Sequence, residues 1–186
     1  MNKYLITLFI TTLIFQNAIA GQKITILGRE FSFMITEPTG WQCECEGDKA
    51  ATIGANLAMW KKNETMETAQ PLIYARVNSR GKSPADDMSA DMEGALKHNS
   101  KLKFKDFKVD YSKGESSAKI FKIGKEATEY VVFIYPEKSE KNGVSITMHV
   151  DNREATAAEI KTFKEVVASI TWMSDEVKLK KPNLVK

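Results

Sequence analysis

The chain has 186 residues, 42% of them hydrophobic and 27% charged, with only 10 Gly and 5 Pro. That balance excludes a disordered, collagen-like or many-span membrane chain and fits one globular domain. The 27 basic and 24 acidic residues leave a net charge of +3, too small to imply nucleic acid or an anionic membrane as partner.

The first twenty residues predict a signal peptide. Lys3 precedes the apolar run Tyr4 to Phe15, and Ala18-Ile19-Ala20 offers small residues where a signal peptidase reads, so cleavage is expected after Ala20. The apolar run is short for a bilayer span and no second one follows, which argues against a transmembrane anchor. No Cys stands at the cleavage point, so a lipoprotein is not expected. The address read from this segment is secretion, with Lys3 and the brevity of the leader favouring a bacterial periplasm. Residues 21–174 are expected to form a single domain, and 175–186 a Lys-rich flexible tail.

Ile24 to Leu27 and Phe31 to Ile35 read as a hairpin across Gly28. Ala51, Ile53, Ala55, Leu57 and Met59 alternate, which predicts one strand from Ala51 to Trp60. Lys61 to Gln70 reads as a loop and Leu72 to Val77 as a strand. Ser83-Pro84 starts a helix to about Asn99, since Ser accepts from a first-turn amide and Pro at the first position loses no hydrogen bond. Asp86 and Asp87 suit its positive end, and Ala85, Met88, Met92, Ala95 and Leu96 form one apolar face.

Leu102 and Phe104 are in one phase, and Phe107, Val109 and Tyr111 in the other, which predicts a bulge near Lys105-Asp106. Strands follow at Ala118 to Ile123 and at Thr128 to Tyr135, the latter apolar on both faces and therefore covered on both. Asn142-Gly143 predicts a tight hairpin leading into Val144 to Val150. Thr156 and Glu159 form a capping-box pattern ahead of an amphipathic helix carrying Ile160, Phe163, Val166, Val167 and Ile170. Strands without interleaved crossover helices imply an α+β class, an antiparallel sheet sandwiched with two main helices.

Four stretches carry a family resemblance: Phe31 to Ile35 followed by Pro38-Thr39-Gly40-Trp41; Leu72 to Leu96; Lys105 to Val150; and the closing Val166-Val167-Ala168-Ser169-Ile170. In order and spacing they resemble the PsbP-like family, including its bacterial DcrB-like relatives. The resemblance implies an α/β/α sandwich and an accessory or binding role without a shared catalytic centre. Cys43-x-Cys45 departs from the family pattern, and no functional residue is carried over.

Cys43 and Cys45 are the only cysteines. Two apart on a strand, they share a face with Cα atoms about 6.6 Å apart, at the upper limit for a disulfide. Three readings follow: a disulfide, a soft-metal pair, or a redox dithiol. The two histidines, His98 and His149, have no ligand-type spacing to the cysteines, and no cofactor motif is present.

Ser145, Thr147 and His149 share one strand face, which is either a ligand face or exposed strand surface. Lys97, Lys101, Lys103 and Lys105 make a basic stripe, either a solvated edge or a dock for an anionic partner. Asn63-Glu64-Thr65 is a glycosylation acceptor in a eukaryotic setting only. No Gly-x-Ser-x-Gly elbow, catalytic triad or Gly-rich phosphate loop occurs.

The expectation is a secreted or periplasmic non-enzymatic accessory protein that binds an envelope or secreted protein partner or a small ligand. The alternative is a thiol-redox or soft-metal (copper) handling protein using Cys43 and Cys45.

Overall fold

The computed structural model describes residues 21–28, 30–45 and 48–175. The expected leader, 1–20, and the expected tail beyond Asp175 lie outside the described residues. Among the described residues two antiparallel sheets and three helices form an α+β sandwich.

The first sheet pairs β1 (Lys23–Leu27) with β2 (Ser32–Thr36), joined by a turn in which Gly28 N–H donates to the Phe31 carbonyl at 2.9 Å. Its third strand is the end of the domain, β10 (Thr171–Ser174), which pairs with the other side of β2. The second sheet has seven strands in the order β3-β4-β5-β9-β8-β7-β6. These are β3 (Trp41–Cys45), β4 (Leu57–Lys61), β5 (Leu72–Ser79), β6 (Lys103–Asp106), β7 (Gly114–Ile123), β8 (Ala127–Pro136) and β9 (Asn142–Asp151). The helices are α1 (Asp48–Thr52), α2 (Pro84–His98) and α3 (Ala157–Ser169).

Alternation along the large sheet sends two sets of apolar side chains to opposite faces. On one, Ile73, Tyr130, Val132, Ile134, Ile146, Met148 and Val150 join Phe163, Val166 and Val167 of α3 and Phe33 and Trp172 of the small sheet in one buried core. Phe33 and Trp172 stack with ring centroids 6.1 Å apart. On the other face Val131 and Phe121 pack with Met88, Met92 and Ala95 of α2, while Ala58 and Trp60 pack with Ala50, Met66 and Ala69. β8 is thus covered on both sides, as its composition requires.

Both helix starts follow the sequence chemistry. Ser83 Oγ accepts from Asp86 N–H at 3.1 Å. Thr156 Oγ1 accepts from Glu159 N–H at 3.2 Å while the Glu159 carboxylate accepts from Thr156 N–H at 2.9 Å, closing the capping box.

Four expectations need correction. Ala51 to Trp60 is not one strand: α1 and a turn precede β4, because small Ala side chains satisfy a helix face as well as a strand face. No bulge forms at Lys105-Asp106. Instead β6 ends there, and the chain wraps the sheet edge, so that Phe104 packs on Phe121 on the α2 side while Phe107 packs on Tyr130 and Phe163 on the α3 side. Asn142-Gly143 is not a turn but the start of β9, opposite Ser79 and Asn78 of β5. Ala85 and Leu96 of α2 are exposed, leaving Met88, Met92 and Ala95 as the contact face.

Asp175, the first residue of the expected flexible tail, is tied down. It accepts from Ser139 Oγ and Glu140 N–H at 2.8 Å each, and from Asn142 Nδ2 and Trp172 Nε1 at 3.1 Å each.

Candidate functional site

β3 is an edge strand of the large sheet, and its alternation puts Trp41, Cys43 and Cys45 on the α3 side. The cysteine sulfurs are 3.8 Å apart, in hydrogen-bond contact and without a disulfide. Both residues are half-buried. Across the strand pair, Cys43 faces Met59 and Cys45 faces Leu57, and both of those β4 side chains are fully buried in the main core. The Cys43 thiol is pushed well above its ordinary range, first by its hydrogen bond with Cys45, then by burial, and further by the nearby charges of Cys45 and Glu37. This environment opposes a bare thiolate at Cys43. Glu37 also lines a cleft of about 380 Å³ with Trp41, Thr162, Glu165 and Val166, beside the edge strand.

Ser145, Thr147 and His149 do share the α2-side face of β9, as expected. Their roles differ from a wet ligand face, however. Thr147 is buried at 6% exposure opposite Tyr74 of β5, and Ser145 accepts from Asn78 Nδ2 at 3.1 Å. His149 is held on both ring nitrogens: Nδ1 lies 3.0 Å from Glu129 and Nε2 lies 2.8 Å from Asp151. Contact with Glu129 first, and with Asp151 second, raises its pKa above the ordinary 6.5 against the opposing effect of burial.

Asp151 is itself fixed by Gln70, whose Nε2 donates to its carboxylate at 2.5 Å and whose Oε1 accepts from its N–H at 2.9 Å. The imidazole therefore links β9 to Glu129 of β8 and, through Asp151 and Gln70, to the 62–70 loop. Sequence reasoning found the residues of this face but missed Glu129 and Gln70, which only the strand register and the loop path bring to His149.

The four lysines lie on consecutive elements that lead to the opposite edge of the sheet, with Lys103 and Lys105 on the face opposite Phe104. Lys97 closes α2, Lys101 follows it in the turn, and Lys103 and Lys105 lie on the edge strand β6; all four are exposed. Lys122 of β7 stands opposite Lys103 and is paired with Glu154, and Lys119 is paired with Asp106 at 2.5 Å. His98, next to Lys97 in the last turn of α2, is exposed.

Among the described residues no group of three or more His, Cys, Asp and Glu side chains is arranged to hold a metal ion. No described helix is long and apolar enough to cross a membrane. No protein-family model matches the chain, and no curated protein is significantly similar to it.

Proposed function

We propose that the protein is a secreted or periplasmic accessory protein, released from its leader after Ala20, that works by binding a protein partner and not by catalysis. The observation that carries this reading is the basic edge at the end of α2 and along β6. Lys103 and Lys105 are exposed on the edge strand itself, and Lys97 and Lys101 are exposed on the helix end and turn that lead into it. An edge strand also presents backbone donors and acceptors that an extended segment can pair with. The fitting partner is an acidic segment of an envelope or secreted protein, with electrostatics setting encounter rate and orientation.

The non-catalytic part of the reading is supported by the state of the polar groups. The base a nucleophilic mechanism would need, His149, has both nitrogens engaged by carboxylates, and Thr147 is buried against Tyr74. The α+β sandwich agrees with what the PsbP-like resemblance implies for the scaffold, and scaffold alone carries no function.

The test is native mass spectrometry of the protein purified from its own compartment, wild type beside a Lys101→Glu, Lys103→Glu, Lys105→Glu variant. The expected result is a cleaved chain beginning at Gly21 in a salt-sensitive complex that the triple variant does not form. Turnover of any substrate that disappears in Cys43→Ser or His149→Ala would overturn the reading.

A second reading is favoured by one observation, the 3.8 Å approach of the Cys43 and Cys45 sulfurs. It makes the pair a thiol-redox or soft-metal site at the other edge of the same sheet.

A further inference from the structure

We propose that Cys43, Cys45 and Met59 form a three-sulfur site for a single Cu(I) ion at the β3–β4 edge. The inference rests on the second reading above and is independent of the basic edge.

The first argument is the placement of donors. Trp41, Cys43 and Cys45 alternate onto one face of β3, and antiparallel pairing puts Met59 of β4 directly opposite Cys43 on that same face. Directly opposed side chains in an antiparallel pair have Cβ atoms about 5 Å apart. Three sulfur-bearing side chains therefore converge on one patch of sheet. Met59 is fully buried and Cys43 and Cys45 half-buried, so the patch lies where solvent gives way to the main core.

The second argument is distance. A metal ion about 2.3 Å from each of two thiolates, at angles between tetrahedral and trigonal, sets the sulfurs about 3.8 to 4.0 Å apart. The observed separation is 3.8 Å. A disulfide needs about 2.05 Å, so the two sulfurs stand at the spacing of co-ligands and would have to close the whole of that difference to bond.

The third argument selects the ion. Zinc asks for four donors from Cys, His and carboxylates, and the described residues hold no such group of even three. The remaining third donor is a thioether, and thiolate with thioether is the donor set that favours Cu(I). Binding would displace the two thiol protons to solvent and leave copper in the +1 state throughout, so no oxidant or reductant takes part.

The test uses the reduced mature chain with Cu(I) delivered as its acetonitrile complex without oxygen, in competition with bicinchoninate. The expected result is one Cu(I) held per chain, with ultraviolet thiolate-to-copper charge transfer and quenching of Trp fluorescence from Trp41. Cys43→Ser and Cys45→Ser should each abolish retention. Met59→Leu keeps the core volume, and it should weaken retention by more than the roughly tenfold typical of disturbing a ligand's supports. Far-UV circular dichroism of each variant separates loss of binding from loss of fold.

Retention unchanged in folded Met59→Leu, or in either folded serine variant, overturns the three-sulfur site. Failure to hold Cu(I) while the pair cycles reversibly in glutathione buffers overturns the copper inference and leaves the thiol reading standing. Failure of both rejects the reading on which it rests.

Discussion

His149 shows how one side chain can look like a site and act as a fastener. Its pKa is raised by Glu129 first and Asp151 second, so the folded protein binds its proton more tightly than the unfolded chain does. The stabilisation is complete below the ordinary value of 6.5 and is lost as pH rises through the higher folded value. Urea midpoints measured from about pH 5 to about pH 9 should therefore decline on the alkaline side in wild type and lose that component in His149→Gln. Equal slopes in the two proteins would show that the clamp adds no proton-linked stability.

Trp60 poses the opposite problem. It is 7% exposed, and its indole N–H has no hydrogen-bond partner among the described residues. An orphaned buried donor costs about 1 to 3 kcal/mol, so Trp60→Phe trades lost volume against removal of that penalty and should change stability by under about 1 kcal/mol. Trp60→Ala, which leaves a cavity among Met66, Ala69 and Ala58, should cost about 3 to 5 kcal/mol in the same denaturation assay. At this scale the sequence reveals which residues share a face, because the strand period is 2. It does not reveal that Glu129 lies opposite His149 or Met59 opposite Cys43, since register is a property of strand pairs.

At the scale of elements, legibility tracks the strength of local chemistry. α2 and α3 carry caps that compete with no other arrangement, and β5, β7, β8 and β9 carry clear apolar runs. The misread segments are those where two structures satisfy one pattern. Alternating Ala residues allowed α1 to form where a strand was expected, and a change of apolar phase marked a strand that ends and wraps an edge as readily as a bulge. The Asn-Gly pair was overridden by pairing with β5. β3 and β10 went unassigned because each is short and completed only by its neighbours.

The cap of α3 yields a prediction at this scale. Arg153 grips Glu159 through both terminal nitrogens at 2.7 and 2.9 Å, Lys61 adds a contact at 3.5 Å, and the carboxyl is held down at about 2 by Arg153 first and by Thr156. A depressed folded pKa stabilises above the unfolded value of 4.5, and that stability is lost as pH falls toward 2. Glu159→Gln should lower stability at neutral pH and flatten the acid limb of the unfolding curve. Thr156→Ala should cost about 1 kcal/mol at neutral pH, the usual value of an N-cap oxygen.

For the whole molecule, the decisive feature is that the last strand completes the first sheet. β2 is flanked by β1 on one side and β10 on the other, and Trp172 lies against Phe33 in the core that α3 and the large sheet share. Lys113, arriving from between β6 and β7, caps the α3–β10 junction by donating to the carbonyls of Ala168 and Ile170 at 2.9 and 3.1 Å and to Thr171 Oγ1 at 3.0 Å. Asp175 then pins the end of β10 to the β8–β9 connection through Ser139, Glu140 and Asn142. The first, middle and last described elements are thus tied to one another.

A chain ending at Asp175 keeps all of these contacts and should unfold in a single transition at the wild-type midpoint. A chain ending at Ile170 loses Trp172, whose removal alone costs on the order of 3 to 5 kcal/mol, and exposes the second edge of β2. Its transition should shift strongly downward or vanish, with fluorescence and far-UV circular dichroism still moving together. If the two probes separate, with the small sheet melting before the large one, the shared core does not couple the sheets and the closure argument fails.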